Sequence, residues 1–569
     1  MRFREFPSDL SGVYESLDPR NLYQMPFRGA YVERYEGVSQ PIYDYLPESL
    51  IQSHGVVYVF APEGADPETF LEEGGWVRLA EEKGVMLMLF VPPTGGYRAW
   101  SFDEIKKVLF TQGIHKYYNI QFQFRYLVGY GDGARAVLEQ ALSTPVEWAG
   151  VVLSGEYADA KELIAASKVA DETRPRKSQD MPLPIWIFRN EADEGADALI
   201  EYFCAANKTE PDPYQKDGVS YYLPDARKYY DSVNDAPIAR VLVSDRLCEN
   251  REGDTEKLFR DFLLTTTRNR VITDSGLHPY RSMEDWGAVS KTIEIDGYTR
   301  EYLEYVPEYV REHPEYKTPL LVYLHGRSNT CVTNSYTTEW FNVAKARNFM
   351  IVSLSGSFNR SDKEIPIPHW NIFRDPNLYD DMKFIRTLTE KTIRDYNVDR
   401  SRVYLSGFSM GGMMTQEVSL VMPDLFAAAA VNAGVLPFPG AIPLSVNKPD
   451  VREDLDMPLF IQMGQFDILP QGGRLGSDPL AEANIYYWVD RYKLVDKEAP
   501  GTYKSGPFNV TVFHDQDNVP MLTYIVTDNK PHACVPYDSW IYYDQFFAKF
   551  SRDENGDVYY LGKKVRRSH

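Results

Sequence analysis

The sequence predicts an α/β protein built of two successive units, each a mainly parallel sheet flanked by helices. Three observations carry this. Short apolar, strand-like runs alternate with helical segments along the chain. A series of matched segments recurs in the same order in both halves. And the chain has 569 residues, which suits two α/β units of about 250 residues or so.

The recurrence is clearest at two glycine-rich turns. Arg125 to Ala134 reads RYLVGYGDGA, and Val403 to Gly412 reads VYLSGFSMGG. Aligning Gly129 with Gly407 puts Tyr126 on Tyr404, Leu127 on Leu405, Gly133 on Gly411 and Gly131 on Ser409. The same register carries Tyr118-Asn119-Ile120 onto Tyr396-Asn397-Val398. Upstream, Val57-Tyr58-Val59 matches Val322-Tyr323-Leu324, Trp76 matches Trp340, and YDYLPESL at Tyr43 matches LEYVPEYV at Leu303. Downstream, MPLPIWIF at Met181 matches MPLFIQMG at Met457, and VLVSD ending at Asp245 matches YIVTD ending at Asp528. The offset drifts between these pairs, as insertions in surface loops would make it. The chain therefore reads as two copies of one unit, residues 1–270 and 271–569. The boundary is set in the polar stretch between Asn269 and Ala288.

In the second copy the elements follow in order. KTIEID and REYLEYVP read as an antiparallel strand pair turning at Gly297. PLLVYLHG is a continuous apolar run, the pattern of a strand buried on both faces, and Trp340 to Arg347 is helical after it. FMIVSLSG is the next strand. A long loop, SFNRSDKEIPIPHWNIFRDPNLYD, leads to a helix opening at Asp380-Asp381, where carboxylates favour the helix N-terminus. RVYLSG is a strand, GGMMTQEVSLV a helix, and AAAAVNAG, PLFIQMG and TYIVTD are later strands. The chain closes on an aromatic helix, WIYYDQFFAKF.

Composition narrows the function classes. The chain is 43% hydrophobic and 25% charged with a net charge of −21, which argues against nucleic acid and anionic membrane as partners. The terminal KKVRRSH reads as a solvated basic tail. The opening MRFREFPSDL has no apolar core of a signal segment, and no run reaches the length of a membrane span, so a cytoplasmic protein is expected. Four cysteines in so long a chain make no disulfide framework, and Cys331 and Cys534 are expected near the site as reduced, packed thiols. H-E-x-x-H, C-x-x-C and P-loop patterns are lacking, so no metal or cofactor is expected.

The chemistry centres on Gly407-Phe408-Ser409-Met410-Gly411. On a sharp strand-to-helix turn, G-x-S-x-G lifts the serine above the sheet, and its glycines admit close backbone neighbours. Such a serine needs a base and an acid following in the order Ser, Asp, His. His514, His532 and His569 come after Ser409. His514 lies within an alternating strand and His569 is terminal, whereas His532 follows strand TYIVTD on a loop before the last helix. Asp467 follows strand LFIQMG; Asp454 and Asp456 precede it, at the wrong end of the sheet. Ser409 is thus the candidate nucleophile, His532 the proton shuttle and Asp467 the residue that holds the imidazolium. The Met410 N–H and the Arg327 N–H, after strand PLLVYL, are the candidate oxyanion donors. His325 is expected to support that loop. Trp370 and His369 are candidates to wall the acyl or alcohol site, with core packing the alternative for Trp370.

REYLEYVPEYV, PLLVYLHG, the Trp370 loop with its Asp380-Asp381 helix, YNVDRSRVYLSGFSMGG, FIQMGQFDILP and the PH of His532 together resemble the α/β-hydrolase branch of poly(3-hydroxybutyrate) depolymerase-like proteins and feruloyl esterases. The resemblance runs from about Lys291 to Arg552. It implies two tandem α/β-hydrolase domains and a serine carboxylesterase acting through an acyl-enzyme on a small ester, with a hydroxycinnamoyl or short acyl group. Arg327 stands where a cysteine often follows HG in depolymerase-like relatives. A serine oligopeptidase and a non-catalytic binding scaffold are the competing readings.

The first copy reads as non-catalytic. Gly131 replaces the serine, and no histidine lies between Ser244 and Glu256, the stretch matching the His532 loop. Its histidines, His54 and His115, both precede the turn. Ala61-Pro62-Glu63 replaces the oxyanion loop, where proline lacks an N–H and Glu63 adds negative charge. Asp193 stands roughly where Asp467 does.

Overall fold

The computed structural model describes residues 1–9, 11–51, 54–112, 120–171, 177–190, 193–225, 238–269, 276–358, 368–436, 450–468 and 473–566. His115, His569 and the expected boundary between 270 and 271 lie outside the described residues. The chain divides into Met1–Leu17 with Gln24–Arg281, and Asp18–Tyr23 with Ser282–His569. The first unit runs on to Arg281 because the short strands Thr266–Arg268 and Leu277–Pro279 pair with each other across the expected boundary.

The first unit's sheet contains β1 (Gly29–Glu33), β2 (Ile42–Leu46), β3 (His54–Phe60), β4 (Met86–Phe90), β5 (Ile120–Tyr130), β6 (Gly150–Ser154), β7 (Ile185–Phe188), β8 (Tyr214–Lys216), β9 (Val219–Tyr222) and β10 (Val241–Ser244). Their spatial order is β1-β2-β4-β3-β5-β6-β7-β10-β9-β8, with the two-residue strand Arg4–Glu5 added beside β1. The second unit's sheet contains β11 (Ala288–Ile295), β12 (Tyr298–Tyr305), β13 (Thr318–Leu324), β14 (Met350–Leu354), β15 (Val398–Phe408), β16 (Ala428–Asn432), β17 (Leu459–Phe466), β18 (Gly501–Ser505), β19 (Phe508–His514) and β20 (Pro520–Pro531). Its order is β11-β12-β14-β13-β15-β16-β17-β20-β19-β18. Strand for strand, the two orders are the same. So is the sense of pairing among these strands: the central pairings from β4 to β10 and from β14 to β20 are parallel and the pairings at either side are antiparallel, only the added Arg4–Glu5 strand running parallel to β1. With helices between the parallel strands, this is the α/β-hydrolase fold.

Burial explains the strand patterns. All seven residues of β13 and all five of β16 are buried, as central strands covered on both faces require. β11, at the edge, instead exposes half of its residues and buries only its two ends. Helix α1 (Trp76–Lys83) opens on buried Trp76 and stops at Gly84 in the left-handed conformation. Its counterpart α2 (Trp340–Arg347) opens on buried Trp340 and stops at Asn348, also left-handed. Helix α3 (Asp381–Asp395) is capped by Asp380, whose carboxylate accepts the Lys383 N–H at 2.9 Å.

Two expectations change in detail. Phe60 lies opposite Gly129 just as Leu324 lies opposite Gly407, so β3 aligns with β13 one residue away from the Val57-to-Val322 match. Both strands are apolar on both faces, and such a run carries no alternation to specify its register. The closing aromatic helix is also broken: α5 (Asp538–Ile541) passes into a π-helical turn, Tyr542–Phe546, and a 3₁₀ turn, Phe547–Lys549. The wide turn lets Tyr542, Tyr543, Phe546 and Phe547 all bury against Phe460, Phe349 and Tyr404. Among the described residues, no helix is long and apolar enough to cross a membrane.

Candidate active site

Ser409 sits between β15 and helix α4 (Met410–Val421), with φ 54° and ψ −117°. A positive φ in a residue with a side chain is strained. The turn holds it by donation of the Ser409 N–H to Asn432 O at 2.8 Å and by acceptance of the Met413 N–H at 2.9 Å. The neighbouring glycines are sterically required. A Cβ on Gly411 would stand 2.2 Å from Leu324 O, and one on Gly407 would stand 2.3 Å from Gly411 O.

Ser409, Asp467 and His532 come together. The Ser409 Oγ is 2.8 Å from His532 Nε2, and His532 Nδ1 is 2.8 Å from Asp467 Oδ1. A carboxylate only accepts, so Nδ1 carries the proton and Nε2 accepts the serine hydroxyl. The Asp467 side chain is fully buried, while that of His532 is 18% exposed and reachable from solvent. The His532 ring also packs against Phe408, with centroids 5.3 Å apart. Strand β17 reaches this point because Gly464 lacks a side chain: a Cβ there would lie 2.2 Å from Lys530 O. Phe466 and Ile468, on either side of Asp467, are exposed apolar side chains.

Arg327 is exposed, and a Cβ on the preceding Gly326 would lie 3.3 Å from Ser409 Cβ, so this loop lies over the serine. His325 fastens it from beneath. Its Nε2 accepts the Gly356 N–H at 2.7 Å, and its Nδ1 donates to Gly326 O at 2.7 Å. Burial pushes the imidazole down to about 4, so the ring is neutral. Trp370 does not wall the site. It is 1% exposed, and its Nε1–H donates to His325 O at 2.7 Å while its backbone N–H donates to Met410 Sδ at 3.5 Å. An indole N–H needs an acceptor when buried, and the loop that carries Arg327 supplies it. His369 is half-buried on a two-residue strand, Pro368–His369, paired with Ser357–Phe358. Pro368 O accepts the Ser328 N–H just past Arg327.

His514 lies away from this cluster, bonded through Nδ1 to Asp496 Oδ2 at 2.7 Å. All four cysteines are free thiols, and burial raises those of Cys331 and Cys534 to about 12. Among the described residues, no group of His, Cys, Asp and Glu side chains is arranged to hold a metal ion.

The first unit keeps the turn, with Gly131 at the place of Ser409. Gly131 has φ +57° and donates its N–H to Ser154 O at 2.8 Å, as Ser409 does to Asn432 O. The Glu63 N–H, the counterpart of the Arg327 N–H in the sheet register, donates to Asp132 Oδ1 at 3.1 Å, and the Tyr97 N–H donates to Asp132 Oδ2 at 3.2 Å. Asp193 caps helix Glu194–Asn207 through the Gly195 and Ala196 N–H groups. Burial pushes His54 down to about 4 as well, and its Nδ1 bonds to Ile51 O.

No protein-family model matches the chain. Among curated relatives, a bifunctional acetylxylan esterase/xylanase of Neocallimastix patriciarum is 31% identical over 117 residues, 21% of this chain and 16% of the relative. Feruloyl esterase B of Neurospora crassa is 30% identical over 159 residues, 27% of this chain and 48% of the relative. The putative esterase NocK of Nocardia uniformis is 29% identical over 199 residues, 35% of this chain and 54% of the relative. The chain thus spans about half or less of the length of these relatives. Among solved structures, an acetyl xylan esterase from Aspergillus awamori aligns over 46% of this chain and 99% of its own, at 17% identity and a TM-score of 0.35.

Proposed function

We propose that the second unit is a serine carboxylesterase and that the first unit has lost the chemistry and serves a structural role. The observation that carries this is the unbroken path Ser409 Oγ, His532 Nε2, His532 Nδ1, Asp467 Oδ1, with 2.8 Å at both hydrogen bonds. In this reading the Ser409 oxygen attacks the ester carbonyl carbon as its proton passes to His532, and Asp467 stabilises the imidazolium. The Arg327 and Met410 N–H groups stabilise the oxyanion. Collapse expels the alcohol, protonated by His532; water then attacks the acyl-enzyme with His532 as base and releases the acid.

The relatives' names, acetylxylan and feruloyl esterase, point to acetyl and hydroxycinnamoyl groups as the first acyl groups to try. Matched topology and the shared segments favour two copies of one unit. The test is hydrolysis of a panel of acetyl, longer alkanoyl and hydroxycinnamoyl esters, with a dipeptide anilide beside it. Turnover of esters that Ser409→Ala abolishes is expected. Cleavage of the anilide in preference to every ester would replace this reading with a peptidase.

A further inference from the structure

We propose that a buried ion pair, Lys530–Asp538, together with Asn432 and Gln462, positions His532 between Ser409 and Asp467. The proposal rests on the serine-esterase reading and concerns residues outside the triad.

His532 lies just beyond the end of β20, and cluster members flank it on both sides. Two residues before it, Lys530 Nζ donates to Asp538 Oδ2 at 2.9 Å and to Asn432 Oδ1 at 3.0 Å. Three residues after it, the Val535 N–H donates to Asp538 Oδ2 at 3.1 Å. Asp538 also accepts from Asn432 Nδ2 at 2.8 Å and, on Oδ1, from Gln462 Nε2 at 3.0 Å. One carboxylate therefore gathers four donors.

The members also reach the other two triad residues. Asn432 ends β16, and its backbone oxygen accepts the Ser409 N–H at 2.8 Å. Gln462 lies on β17, the strand that leads into Asp467. It is held in turn by Thr527 Oγ1 at 2.9 Å and by the Tyr542 hydroxyl at 2.5 Å. The strand that braces Ser409, the strand that leads into Asp467 and the strand that leads into His532 thus all contribute to a single polar knot.

The side chains of Lys530 and Asp538 are 2% and 3% exposed. Burying two charges so completely is a poor route to stability, because well-packed apolar side chains commonly do as well. It is a good route to fixed geometry, because every bond is directional and the bonds share their members. The first unit offers an internal comparison. There Asp254 accepts the Glu249 N–H at 3.0 Å, one residue past Cys248, as Asp538 accepts the N–H one residue past Cys534. Its cations are Arg246 and Arg251, whose side chains are 46% and 61% exposed. The unit without a histidine on this loop keeps the backbone anchor and leaves the cations at the surface; the unit with the histidine buries a single cation.

The test compares Lys530→Met, Asp538→Asn and Gln462→Met in the full chain, with Asp254→Asn as control. Two rates are read: kcat on the best ester of the panel, and phosphonylation of Ser409 by a fluorophosphonate. That reaction forms the Ser409 Oγ–P bond, expels fluoride and passes the hydroxyl proton to His532, so it reports the pair without needing an ester substrate. Both rates are expected to fall about tenfold or more in the two charge variants and at least about threefold in Gln462→Met, with KM unchanged. Asp254→Asn should keep both. Gln462→Met retains the ion pair and so reports even if the charge variants do not fold. The proposal is overturned if folded variants lose thermal stability while both rates stay at the parent value. It is also overturned if the parent Ser409 is not labelled at all. If the parent is labelled yet hydrolyses no ester, the esterase reading fails, and the labelling rates still decide the positioning role.

Discussion

Ser409 and His532 are defined by a pair of 2.8 Å contacts, and His514 by a different carboxylate altogether. Ser409→Ala and His532→Ala should each lower kcat by several orders of magnitude with the fold intact. Because the triad acts as a unit, the double variant should be little worse than either single one. His514→Ala should leave turnover near the parent value. Ester hydrolysis by the purified variants checks all three, and comparable activity in Ser409→Ala would remove the assignment. Two other histidines bear on stability. Burial holds His54 and His325 at about 4, against an ordinary value of 6.5. Each stays neutral in the folded chain and takes up a proton near 6.5 when unfolded. The unfolded state therefore binds more protons between these values, and each unit should lose stability as pH falls from about 6.5 towards 4, by up to about 3 kcal/mol per histidine. Urea midpoints across that window test the slope, which His325→Gln should flatten for the second unit.

At the scale of the strand-turn-helix element, the two glycine-rich turns share a positive φ at the central residue, 57° at Gly131 and 54° at Ser409, and an N–H bond of 2.8 Å from that residue to the next strand. The central φ is thus not what separates them. The first turn is occupied from within: the Asp132 carboxylate takes the Glu63 and Tyr97 N–H groups, and Asp193 spends its carboxylate on a helix cap. A side chain at Gly131 would also press on Pro62 Cβ, 3.2 Å away. Gly131→Ser in a Ser409→Ala background should therefore add no measurable ester turnover. Activity in that double variant would show that the first unit had lost its serine and little else.

For the whole molecule, the division of the chain is not a single cut. Residues 18–23 belong with the second unit, where Asn21 bridges Thr299 and the Tyr23 hydroxyl donates to Ser355 O at 3.0 Å, beside buried Arg300 and Asp381. A fragment of residues 271–569 lacks these contacts. It should melt below the same unit in the full chain, and Tyr23→Phe in the full chain should cost about 1 kcal/mol. Calorimetry of the three proteins tests this, and a fragment as stable and active as the full chain would make the first 270 residues dispensable.

The sequence by itself determined the alternation of strands and helices, the elbow at Ser409 and the order Ser409, Asp467, His532. These are local properties, written in hydrophobic period, in glycine spacing and in which end of a strand a residue follows. Tertiary structure decided what depends on distant partners. It set the register of β3 against β5, because a strand apolar on both faces has no preferred side. It turned Trp370 inward to His325 O, because a buried indole must find an acceptor. It gave the Asp132 carboxylate to the first unit's amides and joined residues 18–23 to the second unit. And it brought Lys530, Asp538, Asn432 and Gln462 into one buried knot, although they are separated by up to 106 residues along the chain. Where a buried polar group finds its partner is a property of the packed interior, which no local pattern of residues encodes.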